Sequence, residues 1–111
     1  ELTLADATFE FLDALEHLRP FGNQNPAPVL AVRGVGVDST SVVGELGAHL
    51  RAVLRSGNVS LRAIGFGLGD RLDDVRPGMS YDVAFRLRGD VWNGRRRLQA
   101  EIIDLRPTGA A

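Results

Sequence analysis

Trp92 is the only tryptophan in this 111-residue chain, and it sits in a run of guanidinium groups. Arg86, Arg88, Arg95, Arg96 and Arg97 stand against a single acid, Asp90. An indole can stack on a nucleobase while forked guanidinium groups hold phosphate oxygens, so this set suits a single-stranded nucleic acid. The same residues also suit a cation–π plug that stiffens a turn. Other chemistries fail. The chain has no cysteine, which excludes disulfides and thiolate metal sites. It has no lysine for a phosphate-binding loop, and Gly34-Val35-Gly36 lacks the third glycine of a dinucleotide loop. Asp73 and Asp74 are adjacent, so they point apart and make a poor metal pair, and His17 and His49 are the only histidines. Asn58-Val59-Ser60 matches a glycosylation sequon that carries little meaning here, and no Ser/His/Asp constellation can be assembled.

The basic run needs a frame, and Asn93-Gly94 supplies one. Asn-Gly is the strongest short signal for a two-residue turn in which both central residues take positive φ. With those two residues in the turn, Trp92 faces Arg95, Asp90 faces Arg97, Arg88 faces Gln99 and Arg86 faces Glu101. The opposite face pairs Gly89 with Leu98, Leu87 with Ala100 and Phe85 with Ile102. One face is apolar and the other charged, as a half-buried antiparallel ribbon requires. Beyond Ile102 the register would set Val83 against Asp104, which predicts a bulge or a change of partner.

The remaining elements follow in order. Phe11, Leu12, Leu15 and Leu18 recur at helical spacing opposite Glu10, Asp13 and Glu16, with Asp6 or Thr8 as cap and Pro20 as stop. Residues 1–19 thus read as a connecting helix, and 20–28, with Pro20, Pro26 and Pro28, as a stiff linker. A first strand covers 29–37, with a turn at Asp38-Ser39-Thr40-Ser41. A second strand covers 42–55, with Leu50, Ala52 and Leu54 on one face and His49, Arg51, Val53 and Arg55 on the other. A third runs over 59–66, with Phe66 read as core. A short helix spans 70–75, and the hairpin of residues 81–105 gives strands four and five. The barrel domain is 29–107 and the tail 108–111. The order β-β-β-α-β-β predicts an all-β, five-stranded OB-fold barrel behind an amphipathic N-terminal helix; an SH3-like barrel is the competitor, and the mid-chain helix counts against it. Oligonucleotides usually lie across strands two and three of an OB-fold, beside the loop joining strands four and five, which here holds Trp92.

At this length the chain is one domain able to bury a modest core. Five acids and no arginine occupy residues 1–18, whereas all 13 arginines stand against nine acids beyond, so an acidic leader precedes a basic body. That asymmetry favours an anionic partner. No long apolar run or signal peptide is evident, and a soluble, cytoplasmic protein without membrane contact is expected.

The sequence resembles the OB domain of the RecJ family of single-stranded-DNA exonucleases. The resemblance rests on Pro20-Phe21-Gly22 with Asn25-Pro26 and Pro28, His49-Leu50-Arg51, Ala63-Ile64-Gly65-Phe66, Gly69-Asp70-Arg71-Leu72, Val91 to Gln99, and Asp104-Leu105-Arg106-Pro107. Gln24 and Arg51 depart from that pattern, where glycine and lysine are common. The likeness implies a parent enzyme that digests single-stranded DNA from the 5′ end in repair and recombination. It implies manganese or magnesium held in a DHH-type phosphoesterase domain, which this chain lacks; no Asp-His-His occurs here. The chain would then be a non-enzymatic fragment that binds no cofactor of its own, with single-stranded DNA and the catalytic domains of the same parent chain as partners.

On this reading Trp92, Arg95, Arg96 and Arg97 contact DNA from the hairpin tip, and Arg51, Arg55 and Arg62 track phosphates on the strand two–three face. Arg88 is weaker, being opposite Gln99 as Arg86 is opposite Glu101. His49 is either a base-stacking ring or a hydrogen-bonded surface residue, and Phe21 a peg for the linker. The alternative function is a scaffold barrel that closes the nuclease channel and touches DNA little.

Overall fold

The computed structural model describes residues 2–18 and 27–109. Five strands form a closed barrel in the order β1-β2-β3-β5-β4: β1 (Leu30–Val43), β2 (His49–Ser56), β3 (Val59–Gly65), β4 (Ser80–Trp92) and β5 (Arg95–Pro107). All neighbours are antiparallel except β3 and β5, which run parallel where Ala63 meets Ala100 and Ile64 meets Glu101. A 3-10 helix, Gly69–Asp74, stands between β3 and β4, tighter than the expected α-helix. This is the OB-fold that the strand order predicts.

Alternation builds the core. Leu50, Ala52 and Leu54 of β2, Leu61 and Ala63 of β3, Val83, Phe85 and Leu87 of β4, and Ala100 and Ile102 of β5 are all buried. The intervening residues face outward. The hairpin has the register set by its turn, from Trp92↔Arg95 to Phe85↔Ile102, with Asn93 and Gly94 at φ 50° and 74°. The bulge falls between Ala84 and Phe85, so Val83 meets Leu105 instead of Asp104.

One boundary differs. Asp38 to Ser41 do not turn; β1 continues through them to Val43, pairing Ser39, Thr40 and Ser41 with Val53, Ala52 and Arg51. The chain reverses at Gly44–Ala48 instead, so β2 starts at His49 rather than residue 42. Turn propensity at Asp and Ser is local and weak, and β2 supplies these residues with ladder partners. The break in register at Asp38 survives as a bulge between Val37 and Ser39.

The leader begins with a 3-10 turn, Leu4–Asp6, whose Asp6 carboxylate accepts the Thr3 N–H at 2.8 Å. Helix α1 (Phe9–Leu18) follows, and Thr8 caps it by accepting the Phe11 N–H at 3.1 Å. Leu4 and Leu12 are buried in the same cluster as the barrel core. α1 crosses β4 closely: a Cβ on Gly89 would stand 3.1 Å from Leu12 Cδ2. Most of the expected linker, with Phe21 and the Pro20 stop, lies outside the described residues; Ala27 is buried, and its carbonyl accepts Arg86 Nε–H at 2.9 Å.

Candidate nucleic-acid interface

The outer face of β1, β2 and β3 forms the floor of a groove. Ser39 and Ser41 come from β1, Arg51 and Val53 from β2, and Arg62 and Ile64 from β3; Trp92, Arg97 and Gln99 form the wall. The cavity is about 390 Å³. Arg62 is half-buried, and its Nη2 is enclosed with no hydrogen-bond acceptor among the described residues. Arg62 forms no ion pair among the described residues. Arg51 beside it is exposed and forms no ion pair among the described residues. A larger cleft of about 630 Å³ lies between the β1–β2 loop and the 3-10 helix, but Asp70 and Asp73 line it. Its charge is wrong for a polyanion.

Strand alternation divides the arginines at the hairpin tip. Trp92, 56% exposed, has the Arg97 guanidinium 5.0 Å from its ring centroid. Asp90 grips Arg97 with both oxygens, accepting from Nε at 3.3 Å and Nη2 at 3.1 Å. One indole face is therefore backed by a fixed cation. Arg95 follows two residues away on the same face of β5 and is exposed, with no ion pair among the described residues. Arg96 points the other way. Its Nη2 donates to Asp13 of α1 at 3.0 Å, and its guanidinium lies 4.6 Å from the Phe9 ring centroid. The structure therefore keeps Arg96 out of the groove and uses it to tie the tip to the leader helix.

Other candidates are engaged elsewhere. Arg88 pairs with Glu101 at 2.9 Å, a diagonal partner, rather than with Gln99 directly opposite. Arg55 forms an ion pair with Asp38, the residue that the β1 bulge projects toward it. His49 accepts the Gly67 N–H through Nδ1 at 3.0 Å. Its ring stands at 77° to Phe66, with centroids 5.3 Å apart. Phe66 is not core: it is 57% exposed, because outward-facing Ile64 and buried Gly65 put the next side chain outside. Sequence reasoning also missed Ser39, Ser41 and Gln99 as groove residues. The period-two spacing of the two serines was the available signal, masked by their turn propensity.

The titration shifts lie away from the groove. Asp82 is held below the ordinary carboxylate value, chiefly by the Gly34 N–H and then by the Thr108 hydroxyl, both donating to Oδ1. Asp6 is lowered by Thr3, through its N–H and then its hydroxyl. No three His, Cys, Asp or Glu side chains converge on a metal position among the described residues.

The family model for the RecJ OB domain matches residues 1–104. The chain belongs to that family. It is 26% identical over 99 residues to the single-stranded-DNA-specific exonuclease RecJ of Bacillus subtilis, covering 89% of this chain but 13% of that protein. A crystal structure of RecJ with Mn2+ from Thermus thermophilus superposes at a TM-score of 0.62 and 29% identity, over 96% of this chain and 14% of that one. The yeast mitochondrial single-stranded DNA binding protein Rim1 shares the fold at a TM-score of 0.57 and 14% identity, over 75% of this chain and 99% of its own. This RecJ OB domain thus spans a small part of the RecJ relatives it matches. Among its described residues, no helix is long and apolar enough to cross a membrane.

Proposed function

We propose that this chain binds single-stranded DNA along the β1–β2–β3 groove and serves as the strand-holding module of a RecJ-like 5′→3′ exonuclease. Catalytic domains elsewhere in the parent chain would carry out metal-dependent hydrolysis in DNA repair and recombination, in the cytoplasm. One observation carries the reading: Arg51 and Arg62, neither of them ion-paired among the described residues, lie on the floor of the groove that Trp92 walls. Phosphate oxygens meet these guanidinium groups along the floor, and a base from the same strand reaches the indole. Arg51 and Arg95 add charge that no carboxylate among the described residues meets. Arg97 acts by fixing the indole, while Arg55, Arg88 and Arg96 have their charges met by carboxylates. His49 steadies the end of the groove. Contacts of this kind read backbone and ring faces, so little sequence preference follows.

The test uses the lone tryptophan as reporter. Titrating oligo-dT at low salt should change Trp92 fluorescence, and Trp92→Ala should weaken binding by roughly 1–3 kcal/mol, the range for one stacked base. Unchanged fluorescence at saturation would remove the stacking role. Equal mobility shifts with single- and double-stranded oligonucleotides would instead favour a scaffold barrel.

A further inference from the structure

We infer that Phe66 is a second base-stacking platform, at the opposite end of the groove from Trp92. The inference deepens the proposed reading and rests on it. Arg62 and Ile64 lie on the outward side of β3, Leu61, Ala63 and Gly65 are buried, and Phe66 follows exposed in the turn just past the strand's end. Arg51 pairs with Ile64 and Leu50 with Gly65, so the next step along the ladder brings His49 beside Phe66, and the rings meet there. At ~3.3 Å per residue, the end of β3 at Gly65 lies about 10 Å along the strand from Arg62, and Phe66 stands just past it. Arg62 and Trp92 line one cavity, so a strand leaving Trp92 passes Arg62 and Arg51 before it reaches Phe66. OB barrels cover about 4 nucleotides or more, and a run of this length belongs to that scale.

The Phe66 ring is also set in place. His49 braces it at 77°, and the Gly67 N–H bond fixes the His49 ring in turn. A ring already held in one orientation loses little rotamer freedom when a base stacks on it. More than half of its surface faces water, which leaves a stacking face available. Its ligand is a nucleobase of the strand that Trp92 engages, taken without regard to base identity.

Five variants, F66A, F66L, F66Y, W92A and the W92A/F66A double, with an oligo-dT of about eight nucleotides and fluorescence anisotropy, test the inference. F66A should lower affinity about 5- to 150-fold, as expected for one stacked base. F66L keeps apolar volume but no π-face, so it should lose a similar factor, and F66Y should restore binding. The W92A/F66A double variant should show the product of the two single losses, because platforms this far apart act independently. Parent-like affinity of F66A or F66L overturns the inference, as does a double variant no worse than W92A alone. Failure of the unaltered chain to bind oligo-dT rejects the groove reading itself. Loss with W92A but not with F66A rejects the second platform alone.

Discussion

The salt dependence of binding follows from which arginines already have a partner. Sequence placed seven in contact with DNA: Arg51, Arg55, Arg62, Arg88, Arg95, Arg96 and Arg97. Four of them are ion-paired with a carboxylate, from Asp38, Glu101, Asp13 and Asp90. A cation that must leave an acid to reach a phosphate gains little by the exchange. Arg51, Arg62 and Arg95 remain, and each phosphate neutralised on a single strand contributes a slope of about −0.7 in log K against log salt. The expected slope is therefore about −2, where seven contacts would give about −5. Between 50 and 200 mM salt those slopes correspond to losses of about 16-fold and about 1,000-fold, a difference that anisotropy of labelled oligo-dT resolves. Replacing Arg51 and Arg62 by Gln should leave a slope of about −0.7, and Asp90→Asn should release Arg97 and steepen the parent slope by about 0.7. A parent slope near −5, or one unmoved by the double replacement, would refute the partner argument.

Two further outcomes concern the frame. Gly69→Ala would place a Cβ 1.8 Å from the Gly47 carbonyl oxygen, against the loop to which Gly69 N–H is bonded through the Ala48 carbonyl at 3.0 Å. Forced overpacking costs typically 1–3 kcal/mol and the lost hydrogen bond about 1 more, so urea denaturation should register a loss of roughly 2–4 kcal/mol; a parent-like midpoint would contradict this packing. Asp82 and Asp6 both have folded-state values below the ordinary carboxylate range, by the Gly34 and Thr3 bonds respectively. The folded state then binds fewer protons than the unfolded one in acid. The stability they lend is complete above the unfolded value near ~3.9 and fades as pH falls through the folded values. Urea midpoints measured from neutral pH downward should show this acid limb, and D82N should flatten it. An acid limb of D82N as steep as the parent's would remove Asp82 from the account.

What the chain's own order of residues determined is the hairpin. Asn93-Gly94 has one favourable turn, a strand has a period of two, and together they set every facing pair from Trp92↔Arg95 to Phe85↔Ile102. The same period assigned the faces of β2, and the strand order named the barrel. What tertiary structure decided is which charges remain available. Arg96 meets Asp13 across 83 residues and Arg55 meets Asp38 across a bulge, and local spacing registers neither. Asp38 to Ser41 read as a turn because their preference is local, whereas the ladder partners that held them in β1 come from a later strand. Phe66 read as core because it is large and apolar, yet its exposure follows from where β3 ends and which ring stands beside it. Backbone periodicity acts between neighbours, while charge pairing and burial are settled only when distant segments share one surface.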